Sequence, residues 1–210
     1  MKTASLTTAA LCGALLAACA DSAKLPPNAD VGPNPTLVAP HRSLIPTVNV
    51  ATAKPFAAGE MPIAAQGLRV NVFASGLDHP RWLHVLPNGD VLVAESNAPP
   101  RPEEGKGIKA KFMQYFMKKA GAGVPSANRI TLLRDVDGDG VAEVKSAFLE
   151  NLHSPFGMAL VGETLYVANA DAIVKFPYRE GDTRITAAPV KVADLPGGPR
   201  NHHWTKSLVA

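Results

Sequence analysis

The sequence predicts an all-β fold of the β-propeller type, because a strand-rich unit repeats along it. GLDHPRWLHVLPNGDVLVAES from Gly76 aligns with NLHSPFGMALVGETLYVANA from Asn151, with one residue deleted at the turn. A fainter third copy begins at Leu195. Once an apparent insertion over 97–128 is set aside, each copy begins about 43 residues after the previous one. This spacing is the period of a propeller blade. A single four-stranded blade cannot bury its own faces, so neighbouring copies must pack together.

Short alternating apolar runs supply the strands of these copies. Alternation of apolar and polar side chains is typical of a half-buried strand, and Gly, Pro, Asn and Asp separate the runs. The predicted strands are 68–74, 82–86, 90–95, 129–134, 164–169 and 172–176. The 19 prolines and 17 glycines also favour turns and short strands over long helices.

Residues 1–18 have the pattern of a bacterial lipoprotein signal peptide. Lys2 precedes an apolar run that is too short to span a bilayer as a stable helix. The following Leu-Ala-Ala-Cys ends at Cys19 and matches the lipobox, so we expect lipidation of Cys19. The chain would then be anchored in the cell envelope facing the periplasm, and Ala20 favours the outer membrane. An ordinary cleaved signal is the alternative.

Residues 19–66 form a predicted proline-rich tether. Eight prolines lie between residues 20 and 62, and proline fixes φ and removes a backbone donor, so long helices and strands are excluded there. The remaining 67–210 has room for two to three blades, whereas a propeller needs roughly four to eight to close. We therefore expect a partial propeller that is truncated at the C-terminus.

The insertion at 97–128 contains a predicted helix, KGIKAKFMQYFMKKAG. Ile108, Phe112, Tyr115, Phe116 and Lys119 recur at helical spacing on one face, which is apolar until this last member, and the other lysines lie mostly off that face. The pattern favours a surface helix that packs its apolar face on the propeller. Contact with anionic lipid headgroups and a lid over the propeller mouth are the alternatives.

The stretch DVDGDGVAE, residues 135–143, spaces oxygen ligands as a calcium loop does. The possible ligands are the carboxylates of Asp135, Asp137, Asp139 and Glu143 and the carbonyl of Val141. Ser146 stands where an EF-hand has glutamate, so an EF-hand is disfavoured. A structural calcium held in a β-hairpin and a plain acidic turn remain the two interpretations.

Histidines occupy matching turns of the three copies. The turn residues are Asp78 and His79, His153 and Ser154, and His202 and His203. Propeller loops at one end of the central channel converge, so these side chains can face one pocket. A neutral imidazole can act as a general base near pH 7. A catalytic histidine is one interpretation, and a structural or metal-binding pair is the other.

Composition excludes two further classes of site. The net charge of +3 is small and we find no RNA- or DNA-binding motif, so no nucleic-acid partner is expected. Of the two cysteines, Cys12 lies in the signal peptide, which leaves no pair for a disulfide or a cysteine metal site.

Four stretches together resemble the L-sorbosone dehydrogenase branch of the soluble glucose/sorbosone dehydrogenase family. They are GLDHPRWLHVLPNGDVLVAESNAPP, GAGVPSANRITLLRDVDGDGVAE, LHSPFGMALVGETLYVANADAIVKFPY and GGPRNHHWTKSLV, and the resemblance covers about residues 66–210. It implies a six-bladed propeller that binds pyrroloquinoline quinone (PQQ) and calcium at its mouth. Such enzymes oxidise sugars or related aldehydes and alcohols in the periplasm, with a respiratory electron acceptor.

The resemblance also implies roles for single residues. His203, followed by Leu208 at the start of a strand, matches the general base that removes the substrate hydroxyl proton. His202 stands where better-studied members have an acidic residue, and His153 or Ser154 falls near a position that lines the pocket. The remaining PQQ and catalytic-calcium ligands, including an arginine, are expected beyond Ala210, and the 135–143 loop is separate from that calcium site.

Three functions follow from these patterns. The first is a PQQ-dependent sugar or sorbosone dehydrogenase, of which we expect this chain to be a weakly active or inactive fragment. The second is a non-enzymatic propeller lipoprotein that binds a ligand or partner, since fold alone does not set function. The third is a lactone hydrolase on a similar propeller. It would need a channel metal held by carboxylate and asparagine side chains, which the sequence does not assemble.

Overall fold

The computed structural model describes residues 25–37, 50–57, 59–100, 107–122, 124–198 and 203–210. The chain divides into two compact units, Met1–Ala51 and Thr52–Ala210. The described part of the first unit forms turns, in which Ala29 N donates to Pro26 O and Thr36 N donates to Ala29 O. Cys19, the signal peptide and most of the tether lie outside the described residues. No helix in the described ranges is long and apolar enough to cross a membrane.

The described residues of the second unit form two four-stranded antiparallel sheets, in which each strand pairs with the next along the chain. The first sheet contains β1 (Pro80–Val85), β2 (Val91–Glu95), β3 (Arg129–Arg134) and β4 (Val144–Leu149). The second contains β5 (Met158–Val161), β6 (Thr164–Ala168), β7 (Ala172–Pro177) and β8 (Val190–Asp194). Helix α1 (Ile108–Lys119) lies between β2 and β3. This architecture confirms two blades of a partial propeller with a helical insertion, and the described residues form no closed barrel.

The strand register confirms the internal repeat. Leu83 lies opposite Val93 in the first blade, and Met158 lies opposite Val167 in the second. Val93 and Val167 are equivalent in the sequence alignment, as are Leu83 and Met158. The two copies of the repeat therefore fold alike.

The core lies where the central strands of the two blades bury their side chains. Burial in β6 and β7 largely follows the alternation that their sequences predict, whereas β2 and β3 are buried at four consecutive positions and therefore on both faces. Burial of a large aliphatic or aromatic side chain stabilises a fold by about 1.5–3 kcal/mol. The largest buried apolar side chains are Phe148, Leu92, Ile130, Leu132, Leu165, Val93 and Val167.

The run 68–74, predicted as a strand, is not a strand in the structure. Val72 is 54% exposed, and the segment lies along the 135–143 loop, where Asn71 Nδ2 donates to Gly140 O and Ala142 N donates to Phe73 O. The alternation suits a pleated strand, but a strand also needs a neighbour for a continuous ladder. Within the described residues this segment makes isolated bonds instead.

The predicted insertion helix is confirmed, but the expected packing of its apolar face on the propeller is wrong. Phe112 and Tyr115 are each 64% exposed. They pack on Phe116, with ring centroids 4.6 Å and 5.4 Å apart. The aromatic side chains of α1 therefore contact one another and solvent.

The third repeat begins against the second blade. Gly157 N donates to Lys206 O at 3.0 Å, and Trp204 is buried at 7% exposure. Residues 204–210 form no regular strand. The segment that carries His203 is therefore fixed by contacts with the start of the second blade.

Asp90 and Arg134 join the β1–β2 turn to the end of β3. Arg134 Nε donates to Asp90 Oδ1 and the guanidinium also reaches Oδ2, both at 2.7 Å, while the Asp90 side chain is 2% exposed. The hydrogen bond from Arg134 holds the pKa of Asp90 below its ordinary value. The contact is therefore fully stabilising above the pKa of the unfolded chain, about 3.9, and is lost as the pH falls through the lower folded value.

We expect Asp90→Asn to lower the free energy of unfolding at pH 7 by about 1–3 kcal/mol, because the buried acceptor loses its charge. Urea denaturation at pH 7 and at pH 3 measures the difference from wild type, which should narrow at the lower pH. Asp182→Asn, at an exposed position, is the control and should show little change. If Asp90→Asn differs from wild type by the same free energy of unfolding at both pH values, the ionised Asp90 carboxylate is not the source of the stabilisation.

Candidate functional site

The antiparallel order of the strands gathers one set of connections at one end of the two sheets. These are the residues before β1 and the segments β2–β3, β4–β5, β6–β7 and after β8. We call this the histidine end, because His79, His153 and His203 all lie on it. His202 lies outside the described residues. The topology therefore places the described histidine turns at the same end of the two sheets.

Hydrogen bonds join the two blades at the histidine end. Ser96 Oγ donates to Pro155 O at 2.6 Å. Leu152 N donates to Asn128 O, and Ser154 N donates to Asn128 Oδ1, both at 2.9 Å. Asn128 closes the insertion before β3, so one side chain links the insertion to the turn that bears His153.

The turns before β1 and β5 share an uncommon backbone conformation. His79 has a φ of 55° and Ser154 has a φ of 47°, and each directly precedes a proline. Side chains other than glycine rarely occupy this left-handed region, and a following proline further restricts the residue. Ser154 is 1% exposed, and its Oγ has no hydrogen-bond partner among the described residues. Ser154 therefore shapes the turn, and its hydroxyl does not face solvent.

The imidazole of His153 contacts the carboxylate of Asp171, which follows β6. Its Nδ1 lies 3.0 Å from Asp171 Oδ2, and both side chains are about half exposed. An imidazole whose Nδ1–H is held by a carboxylate presents Nε2 as a proton acceptor. The pair can therefore bind or deprotonate a hydroxyl.

The backbone around this pair is tightly placed. Ala170 N donates to His153 O at 2.9 Å, and Leu195 N donates to Asp171 O at 2.7 Å. Gly197 lies so close that an added Cβ would be 2.6 Å from Asp171 Cβ. Three connections of the histidine end thus hold His153 and Asp171 together.

His203 is exposed at the start of the third repeat. Its carbonyl oxygen accepts a hydrogen bond from Lys206 Nζ at 2.9 Å. Its imidazole makes no hydrogen bond within the described part of the chain, so the structure does not bring it into contact with His153. His203 is available to a ligand.

Three aromatic rings, one from the start of each successive repeat, form a row that we call the ring row. Trp82 and Phe156 have ring centroids 5.1 Å apart, and Phe156 and Trp204 have centroids 6.3 Å apart. The guanidinium carbon of Arg81 lies 5.4 Å from the Trp204 ring centroid. Flat faces and a cation therefore lie together beside His203.

A network of charged side chains joins the end of β2 to the start of β3. Glu95 is fully buried and accepts hydrogen bonds from Arg129 Nε and its terminal nitrogen at 2.9 Å, from Thr131 Oγ1 and from Asp78 N. Arg129 also pairs with Asp78 at 2.7 Å. The hydrogen bonds that Arg129 donates to Glu95, followed by the one that it donates to Asp78, raise the pKa of Arg129. A pocket of about 490 Å³ borders this network; its lining includes Asp78, Arg129, His79, Val124 and Ser126.

The acidic loop at 135–143 lies at the opposite end of the first blade. It joins β3 to β4, so six strand residues, about 20 Å, separate it from the histidine end. Its ligand oxygens on Asp135, Asp137, Asp139 and Glu143 lie within 4.8 Å of one another. This donor set fits a hard cation such as calcium, but the loop and the histidines do not form one site.

Backbone amides orient the carboxylates of this loop. Asp135 accepts hydrogen bonds from Gly138 N and Gly140 N at 2.7 Å and 2.9 Å, and Glu143 accepts from Val136 N at 2.7 Å. Asp139 accepts from Val141 N at 2.8 Å. These bonds hold several negatively charged carboxylates in one turn. A divalent cation would relieve the repulsion between these carboxylates.

We therefore expect calcium to raise the melting temperature of the wild-type chain relative to EDTA. A ligand present at 100 times its Kd stabilises the folded state by about 2.7 kcal/mol. Asp137→Asn with Asp139→Asn should abolish this gain, whereas Glu180→Gln with Asp182→Asn, in the β7–β8 connection, should retain it. Equal melting temperatures for the wild type in calcium and in EDTA would exclude a structural calcium here.

The two blades, their helical insertion and the shared loop end define a partial β-propeller. A family model described as Domain of unknown function (DUF7133) matches residues 66–188, so the chain belongs to this family. No curated protein matches the chain.

Two solved structures are similar in part. The holo form of the pyranose dehydrogenase PQQ domain from Coprinopsis cinerea has a TM-score of 0.46 and 16% identity, over 68% of this chain and 27% of that one. An iodide structure of the Trichoderma reesei Carbohydrate-Active Enzymes Family AA12 has a TM-score of 0.43 and 17% identity, over 70% of this chain and 30% of that one. The chain spans less than a third of the length of either structure.

Proposed function

We propose that the chain supplies blades of a PQQ-dependent oxidoreductase that acts on a sugar or a sugar-derived aldehyde or alcohol, of the sorbosone or aldose type. The observation that carries the proposal is the meeting of the His153 and His203 turns with the ring row at one end of successive repeats. The motif resemblance to the sorbosone dehydrogenase branch supports the substrate class. The lipid anchor at Cys19, the periplasmic location and the respiratory electron acceptor belong to the same proposal.

The described residues fit an anionic, planar quinone. Arg81 and Lys206 are cations near His203, and a guanidinium pairs well with carboxylates and with aromatic faces. Trp82, which is 39% exposed, offers a flat face in the ring row, whereas the ring of Trp204 is buried and lies under Arg81. When bound, the quinone supplies a two-electron acceptor for the hydride that leaves the substrate carbon.

The residues of this chain then handle the proton and the substrate. His203, which is exposed and whose imidazole makes no hydrogen bond to the described residues, accepts the proton of the reacting hydroxyl on a ring nitrogen. Loss of that proton and of the hydride from the adjacent carbon converts the alcohol or hemiacetal into a carbonyl group. His153, oriented by Asp171, accepts a hydrogen bond from a second substrate hydroxyl. His202 remains a pocket residue predicted from the sequence alone, by its position beside His203.

The alternative is a propeller lipoprotein that binds a ligand without catalysis. One observation favours it: the pocket of about 490 Å³ beside Arg129 and Asp78 is lined by neither His153 nor His203. Under this alternative the protein binds a small polar ligand at the Arg129 pocket, and the histidines serve the turns.

Steady-state dye reduction with PQQ, calcium and aldose or sorbosone substrates tests the proposal, on this chain and on any longer product of its reading frame. We expect weak or absent turnover in the 210-residue chain. Where turnover is measured, His203→Ala should lower kcat by about 10²–10⁴-fold, the usual contribution of a general base. Asp171→Asn should raise KM more than it lowers kcat.

His79→Asn is the matched control, because asparagine tolerates the left-handed backbone at that turn and the change removes an imidazole from the histidine end. Its kcat should stay near the wild-type value. Equal turnover of His203→Ala and wild type would remove His203 as the base. If PQQ binds but neither this chain nor a longer product of its reading frame shows turnover, the result would favour the alternative, a propeller lipoprotein that binds a ligand without catalysis.

A further inference from the structure

Helix α1 carries a cluster of exposed apolar side chains. Phe112 and Tyr115 are each 64% exposed, Met113 is 55% exposed and Met117 is 45% exposed. Single exposed apolar residues are ordinary on a protein surface, but a contiguous group on one helix marks an interaction site. The helix therefore has a face for which the described residues provide no cover.

The charge of the helix identifies the kind of surface that this face suits. Between Ile108 and Lys119 the sequence has four lysines and no aspartate or glutamate. Lys111, Lys118 and Lys119 are exposed. A partner that covers this helix must therefore tolerate a dense positive charge, which a neutral apolar protein groove does not.

The order of the residues places two lysines beside the aromatic face and Lys119 within it, at the C-terminal end of the helix. With 3.6 residues per turn, Phe112, Tyr115 and Phe116 fall within about 100° of the helix circumference. Lys111 and Lys118 fall together along one border of that arc, where their alkyl chains can extend toward a charged headgroup while the rings enter the layer beneath it. This arrangement is typical of helices that lie in the membrane interface.

We propose that α1 binds an anionic phospholipid surface, lying parallel to it with Phe112, Tyr115 and Phe116 at the headgroup boundary. Tyrosine suits this boundary because its ring is apolar and its hydroxyl is polar. The insertion leaves from β2 and returns to β3, so the bound surface would face the histidine end. The inference uses only the helix and does not rest on the proposed enzymatic function.

Hydrogen exchange of the full chain, with and without vesicles, tests the proposal at the helix itself. This local readout matters because the apolar leader can bind vesicles by itself. With phosphatidylglycerol vesicles, the backbone amides of 112–119 should exchange at least about 10-fold more slowly, since each opening of the helix would require leaving the surface. Phosphatidylcholine vesicles should give little protection.

Two variants separate charge from apolar burial. Lys111→Gln with Lys118→Gln should weaken vesicle binding by the helix about 25-fold, taking roughly a 5-fold loss for each lysine near an anionic surface. Phe112→Ser with Tyr115→Ser should remove the vesicle-induced protection of the helix amides from exchange, whatever the charge of the lipid. Arg179→Gln with Lys191→Gln, at exposed positions outside the insertion, is the matched charge control and should bind as wild type does.

Three results would overturn the proposal. The chain could bind anionic vesicles with no added protection of the helix, which would assign binding to the leader. Protection could be equal on zwitterionic vesicles. The helix could be protected without vesicles in a concentration-dependent way, which would assign the aromatic face to a second copy of the chain.

Discussion

Replacing Gly157 by alanine should detach the third repeat from the second blade. A Cβ at this position would lie 2.5 Å from Leu208 N and 2.6 Å from Lys206 O, both backbone atoms. Real Cβ atoms essentially never approach that closely, and a backbone segment cannot swing aside as a flexible side chain can. The hydrogen bond from Gly157 N to Lys206 O would have to open.

We expect Gly157→Ala to cost about 1–3 kcal/mol in the free energy of unfolding, the usual range for overpacking, and to displace His203 and Trp204. Urea denaturation measures the first effect. Hydrogen exchange of residues 204–209 and a shift in the tryptophan emission of buried Trp204 measure the second.

Gly198→Ala is the matched control, because its added Cβ meets nothing within 4 Å. It should leave stability, exchange and emission close to wild type. If Gly157→Ala behaves in the same way as Gly198→Ala, the third repeat does not contact the second blade at Gly157.

Replacing Glu95 by alanine should destabilise the first blade more than any other charge removal considered above. The fully buried carboxylate accepts hydrogen bonds from Arg129, Thr131 and Asp78 N. Its loss leaves a buried hydroxyl on Thr131 and a guanidinium at 30% exposure without their main acceptor. Removing one member of a buried ion pair typically costs about 3–5 kcal/mol.

Glu150→Ala offers a direct comparison for Glu95→Ala. Glu150 also pairs with an arginine, Arg184, at 2.6 Å, but both side chains are well exposed. An exposed pair contributes about 0–1 kcal/mol, so this variant should unfold nearly as wild type does. Chemical denaturation of the two variants side by side gives the contrast, and equal losses would show that the Glu95 network is not buried as described.

The central strands were predictable from the sequence because they are buried. In β2 and β3, and again in β6 and β7, apolar residues dominate and turn residues bound the runs, so pattern and structure agree. The strands β4 and β8 contain Lys145 and Lys191 and are partly or wholly exposed, which hides them from a search for buried strands. The run 68–74 shows the opposite error: its alternating pattern predicted a strand, but the segment has no partner strand among the described residues.

The candidate site was predictable only as far as the repeat extends. Alignment of the copies placed His153 and His203 on equivalent turns, and the topology puts both at one end. Asp171 could not be paired with His153 from sequence, because two separate connections bring them together. Glu95 and Arg129 lie on opposite sides of the insertion, and only strand pairing shows that they meet.

The tryptophans allow the most direct test of a quinone site at the histidine end. The chain has two, Trp82 and Trp204, and both belong to the ring row. PQQ is titrated into the protein with calcium present, N-acetyltryptophanamide corrects for absorption, and Arg81→Gln is titrated in parallel. The proposed site predicts saturable quenching that is weakened in Arg81→Gln. Emission that follows the free-tryptophan control at every concentration would contradict quinone binding at this end.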